Sequence, residues 1–172
     1  MATILKSNQR EFKEEAFKEE KNKVDPFRLF TDISRERKGV NPKQLNFDLR
    51  QLNPSQYAFT YHFHRHAEEL FLMLSGSATL RTPAGLETVS AGDLIFFEMG
   101  ETGAHQLYNH TSEPCTYLDV RAFIGFDVCE YPDSGKINIL PTDEIFRKDA
   151  QVSYFDREEN VRDKWKEAGA KI

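Results

Sequence analysis

Between Leu45 and about Ile139 the chain runs in short stretches rich in Phe, Tyr, Leu, Val and Thr, broken at short intervals by residues that favour turns. The breaks fall at Asn53-Pro54-Ser55, Ser75-Gly76-Ser77, Thr82-Pro83-Ala84-Gly85, Ala91-Gly92-Asp93, Gly100 to Gly103, Ser112-Glu113-Pro114 and Pro132 to Gly135. Eight or more strands fit between them, which predicts an all-β sandwich or barrel. Helical patterning is confined to the ends. Residues 10–23 carry Arg, Glu and Lys without Pro or Gly, with Glu14 to Lys18 and Glu19 to Lys23 as i,i+4 pairs, and predict a charged surface helix. Asp156 to Ala168 predicts a second helix, with Asp156 and Glu159 resembling a capping box and Gly169 as the stop. The expected organisation is an N-terminal helical or extended segment (1–44), a β-barrel domain (45–140) and a C-terminal segment with a short helix (141–172).

One run departs from simple alternation. Leu70, Leu72 and Leu74 would share one face of a strand and Phe71 and Met73 the other. A small barrel has one interior, so something must cover the second face. A homodimer partner is expected there, with the terminal segments, through Phe12, Phe17 and Trp165, as the alternative cover. Phe71, Met73, Phe96 and Leu107 are expected in the core or the pocket wall.

Composition narrows the class. The 172 residues are 39% hydrophobic and 12% aromatic, rich enough in core formers to exclude a disordered polymer. The net charge of −5 is spread along the chain, which argues against a nucleic-acid partner. No apolar run approaches the roughly 20 residues that span a bilayer, so no membrane association is expected. The N-terminus lacks a signal-peptide pattern, and Cys115 and Cys129 read as free thiols, so a cytoplasmic location is expected.

The chemistry lies in the histidines. All five, His62, His64, His66, His105 and His110, fall within residues 62–110. In Tyr61-His62-Phe63-His64, side chains two apart on a strand point the same way, so His62 and His64 can converge on one ion. The same spacing also occurs in strands that merely expose polar residues. The residues that follow are more specific: four separate His64 from Glu69 and six separate Glu69 from Gly76, and a second segment carries Gly92, Glu98, Gly100, His105 and Asn109. With these the sequence resembles the cupin superfamily, whose motifs are G-x5-H-x-H-x(3,4)-E-x6-G and G-x5-P-x-G-x2-H-x3-N. The departures are Gln56 for the opening glycine, Glu98 for the proline, and four residues in place of two between Gly100 and His105. The chain also resembles a group of small bacterial cupins that carry Y-H-x-H, E-E, G-A-H-Q and Y-P-D-S-G-K, the last here Tyr131 to Lys136.

The resemblance implies a double-stranded β-helix, or jelly roll, in which His62, His64, Glu69 and His105 hold one divalent metal ion per chain. Imidazole and carboxylate suit Fe, Mn, Ni, Zn or Cu. It implies a metal-dependent enzyme acting on a small oxygenated substrate, as an oxygenase, an isomerase of a sugar or sugar phosphate, or a decarboxylase. The alternative is a non-catalytic module that binds or senses a small molecule. Glu68 and Glu69 compete for the carboxylate position, and the interval to Gly76 favours Glu69. His66 is expected at the pocket rim or exposed and His110 at the surface, with Asn109 held in a turn or at a strand end by its amide. Tyr117, Asp119 and Arg121 share one face of a strand and are the candidates for lining the substrate pocket.

Overall fold

The apolar runs form antiparallel ladders that turn at the Gly, Pro, Asn and Asp clusters. The computed structural model describes residues 2–15, 27–122 and 125–171. In chain order the strands are β1 (Phe12–Glu14), β2 (Phe30–Asp32), β3 (Leu45–Leu52), β4 (Phe63–His64), β5 (Glu69–Ser75), β6 (Ser77–Thr82), β7 (Gly85–Ser90), β8 (Leu94–Phe97), β9 (Gln106–Tyr108), β10 (Cys115–Ala122), β11 (Asp127–Tyr131), β12 (Lys136–Leu140) and β13 (Glu144–Arg147). The helices are a single turn, α1 (Ser34–Arg37), and α2 (Val161–Glu167).

A six-stranded sheet runs β1-β2-β3-β10-β5-β8. Facing it are a three-stranded sheet, β7-β6-β9, and a four-stranded one, β13-β12-β11-β4. Bridges from Tyr57 to Tyr108 and from His62 to His105 link the segment leading into β4 to β9 and its surroundings. The core between the sheets holds Leu29, Leu52, Phe71, Met73, Leu80, Leu107 and Tyr117. This is the expected all-β, double-stranded β-helix.

The register of the large sheet explains why β5 is apolar on both sides. Phe47, Val120, Leu70 and Phe96 form one row across β3-β10-β5-β8, and Leu49, Leu118, Leu72 and Leu94 form the next. These rows lie on the outer face. Alternating with them, inner-face rows run Asn46, Arg121, Glu69, Phe97 and Asp48, Asp119, Phe71, Ile95. The inner face is thus apolar toward β8 and polar toward β3. Phe96, expected inside, stands on the outer face at 54% exposure, and its neighbour Phe97 fills the core.

Two expectations at the ends are corrected. Phe12–Glu14, placed in a helix over 10–23, is a strand paired with β2, which in turn pairs with β3. Backbone bonding to a sheet edge outweighs the weak local preference of a charged segment. Phe17 and the Glu19 to Lys23 pair lie outside the described residues. The C-terminal helix begins at Val161 rather than Asp156, its cap is Asn160 with no side-chain capping bond, and none of its residues is buried.

Candidate metal centre

His62 and His105 are brought together by the backbone. Each donates its N–H to the other's carbonyl, at 3.2 Å from His62 and 2.8 Å from His105, so the two residues face each other across an antiparallel bridge. His64 follows two positions later on β4. The four residues between Gly100 and His105 include a 3-10 turn, Glu101–Gly103, that returns the chain to this bridge. Gly103 is required there because a Cβ would lie 1.9 Å from the Glu98 carbonyl oxygen. Glu69 opens β5 on the inner face, buried at 5% exposure, whereas Glu68 is exposed.

The three imidazoles share one arrangement. His62 Nδ1 donates to the Thr60 carbonyl at 2.8 Å, His105 Nδ1 to the Gly103 carbonyl at 2.9 Å and His64 Nδ1 to Asp127 Oδ2 at 2.5 Å. With the Nδ1 proton held in this way, each Nε2 keeps its lone pair. His64 Nε2 lies 3.5 Å and His105 Nε2 3.1 Å from Glu69 Oε2. The donor atoms of His62, Glu69 and His105 all fall within 4.8 Å of one another. Glu69 Oε2 and His105 Nε2 are both buried and make no hydrogen bond. Two lone pairs facing each other at this distance repel unless a cation lies between them, and an orphaned buried polar atom costs roughly 1–3 kcal/mol. The residues therefore fit a divalent metal ion, and the outer hydrogen bonds are those that orient ligating histidines.

Electrostatics point the same way. Burial and the neighbouring His105 lower the His62 pKa to about 3, so its ring is neutral and able to ligate. Burial also opposes charge on Glu69, but His105 and His64 outweigh it and hold the carboxyl well below its ordinary value. His64 is raised, since the carboxylates of Asp127 and Glu69 overcome the effect of burial. His62 thus presents a neutral imidazole to the buried Glu69 carboxylate.

Strand β11 adds residues that the sequence reading did not find. Asp127, Cys129 and Tyr131 share one face of the strand, on the site side: Asp127 holds His64, Cys129 pairs with His64 across the ladder, and the Tyr131 ring lies 6.2 Å from that of His62. Their D-x-C-x-Y alternation is a strand signal, but nothing in it announces a partner some sixty residues away. The donor atoms of His62, His64 and Cys129 also fall within 4.8 Å of one another. Burial pushes the Cys129 thiol up to about 12.

The three pocket candidates all lie on the inner face. Arg121 stands opposite Glu69, with Nη1 3.4 Å from His64 Nε2 and a buried Nε that has no partner. Asp119 accepts from Arg50 Nε at 2.7 Å, and burial together with the Glu69 charge raises its pKa to about 7. The Tyr117 hydroxyl is buried without a partner. His66 is exposed beside Phe126, and His110 is at the surface with Thr79. Asn109 is fully buried, its amide donating to the Leu52 and Glu113 carbonyls.

Residues 49–121 match the Cupin domain family, a span that contains His62, His64, Glu69 and His105. A sugar phosphate isomerase of the cupin superfamily from Silicibacter pomeroyi superposes with a TM-score of 0.72 at 21% identity, over 90% of this chain and 98% of that one. A protein from Acidithiobacillus ferrooxidans, provisionally designated a sugar phosphate isomerase, gives 0.65 at 22% identity over 73% and 80%. A predicted oxalate decarboxylase from Thermotoga maritima gives 0.53 at 17% identity over 70% and 99%. No curated protein sequence is significantly similar to the chain. The histidine and glutamate spacing, the facing antiparallel sheets and the family match over residues 49–121 together show that the chain carries a cupin domain.

Proposed function

We propose that the protein is a metal-dependent enzyme acting on a small, oxygen-rich and anionic substrate, with His62, His64, Glu69 and His105 as the ligands of one divalent ion. The observation that carries this reading is the buried, unpartnered pair of Glu69 Oε2 and His105 Nε2, 3.1 Å apart. When bound, such an ion supplies a Lewis acid for a substrate oxygen, or a centre for O2. Four protein ligands on an ion that takes five or six leave room for a substrate atom.

Arg121 gives the substrate its sign. Its guanidinium has no carboxylate partner among the described residues and hydrogen-bonds to a histidine whose lone pair the ion would take. That leaves a planar, multidentate cation beside the vacant position, suited to a carboxylate or phosphate. Asp119 and Tyr117 lie deeper on the same face, with Asp119 held by Arg50. Sugar phosphates and oxalate, named for the similar structures, are both small oxygen-rich anions, and their chemistry agrees with a metal ion beside Arg121. The protein is further proposed to be a homodimer through the outer face of the large sheet.

Cobalt(II) substitution tests the open position. Azide or a small dicarboxylate should shift the cobalt absorption bands in a saturable way, and Arg121→Gln should weaken the dicarboxylate response. Bands that ignore every anion while cobalt stays bound would indicate a closed site and a non-catalytic role.

A further inference from the structure

Among the groups around the site, Cys129 has the placement of a ligand without being part of the histidine and glutamate set. We propose that Cys129 binds the same ion as His62, supplying a sulfur donor from β11; the inference rests on the metal-centre reading above. Cys129 is directly opposite His64 in the β4–β11 ladder, and opposed residues of an antiparallel pair project to one face. Its side chain is 3% exposed, and its sulfur lies within 4.8 Å of a donor atom on both His62 and His64.

His62 belongs to both donor groups, the one with Glu69 and His105 and the one with His64 and Cys129. The thiol and the orphaned Glu69–His105 pair therefore border the same imidazole. The other cysteine cannot serve, because Cys115 sits in the hydrophobic core and its Cβ would be 2.8 Å from a Cβ placed on Gly76. On ligation the Cys129 S–H bond breaks, its proton passes to solvent and a sulfur–metal bond forms. A thiolate is a soft donor, so the site should favour Fe, Ni, Zn or Cu over Mn.

Cobalt(II) titrated into the metal-stripped full chain gives the first readout. Ligation by Cys129 produces a near-ultraviolet sulfur-to-cobalt charge-transfer band, which Cys129→Ser abolishes with cobalt still bound and Cys115→Ala retains. X-ray absorption of the zinc-loaded wild-type protein needs no variant, and should show a sulfur scatterer at about 2.3 Å beside the nitrogen and oxygen shell. A bound metal with neither the band nor the sulfur scatterer overturns the role of Cys129 and leaves the histidine site standing. Failure of the wild-type chain to bind either metal overturns the site itself, and the inference with it.

Discussion

Asp127 accepts the Nδ1 proton of His64 and, through its other oxygen, the backbone N–H of His66 at 2.9 Å. It is almost wholly buried, so it fixes the tautomer and the angle of one ligand without touching the ion. Asp127→Asn should lower metal affinity about 10–100-fold in a competition titration with a chelator. Unchanged affinity would show that His64 does not ligate. On the opposite face of β11, Glu130 accepts from Arg65 and Lys148, each at 2.6 Å. Burial would raise its pKa, but Lys148 and Arg65 outweigh that and lower it below 4.5. A carboxyl whose folded value is depressed stabilises the fold above its unfolded value and ceases to do so as pH falls through the folded one. Glu130→Gln should therefore cost on the order of 1 kcal/mol at neutral pH, and the difference from wild type should close as pH drops below 4.5. A pH-independent difference in thermal unfolding would contradict this. The spacing of the four proposed ligands was legible because each motif is local. Asp127, Cys129 and Tyr131 were not, because they reach the site only through the pairing of β11 with β4, a long-range contact that local spacing does not encode.

The turn at Glu101–Gly103 is the element on which the site depends most. It is longer than the motif allows, yet it delivers His105 to the bridge with His62 because Gly103 can press against the Glu98 carbonyl. Gly103→Ala must push the turn away, and should cost on the order of 3 kcal/mol in unfolding free energy while weakening metal binding. A variant with wild-type melting temperature and affinity would show that the turn has slack. The barrel strands could be read from their turn residues, since each break was a Gly, Pro, Asn or Asp cluster with its own backbone preference. The N-terminal segment could not. Phe12–Glu14 takes its conformation from β2, and its own side chains carry no alternation that would reveal the partner.

Across the whole molecule, the two apolar rows on the outer face of the six-stranded sheet remain to be covered. Leu94 is 64% and Phe96 54% exposed. Trp165, a candidate cover, is itself 60% exposed. A self-complementary apolar sheet face suits an isologous contact with a second copy. Sedimentation at micromolar concentration should give twice the 20.0 kDa chain mass, and Phe96→Glu should return the monomer. A wild-type species of single-chain mass would place the cover elsewhere.

The central claim is that His62, His64, Glu69 and His105 hold one ion. Metal analysis of protein purified without chelator tests it most directly. The account predicts about one divalent ion per chain in the wild type and loss of that ion in both His62→Ala and His105→Ala, with His66→Ala unaffected. Full metal content in the two ligand variants, or loss of the ion in His66→Ala, would contradict it.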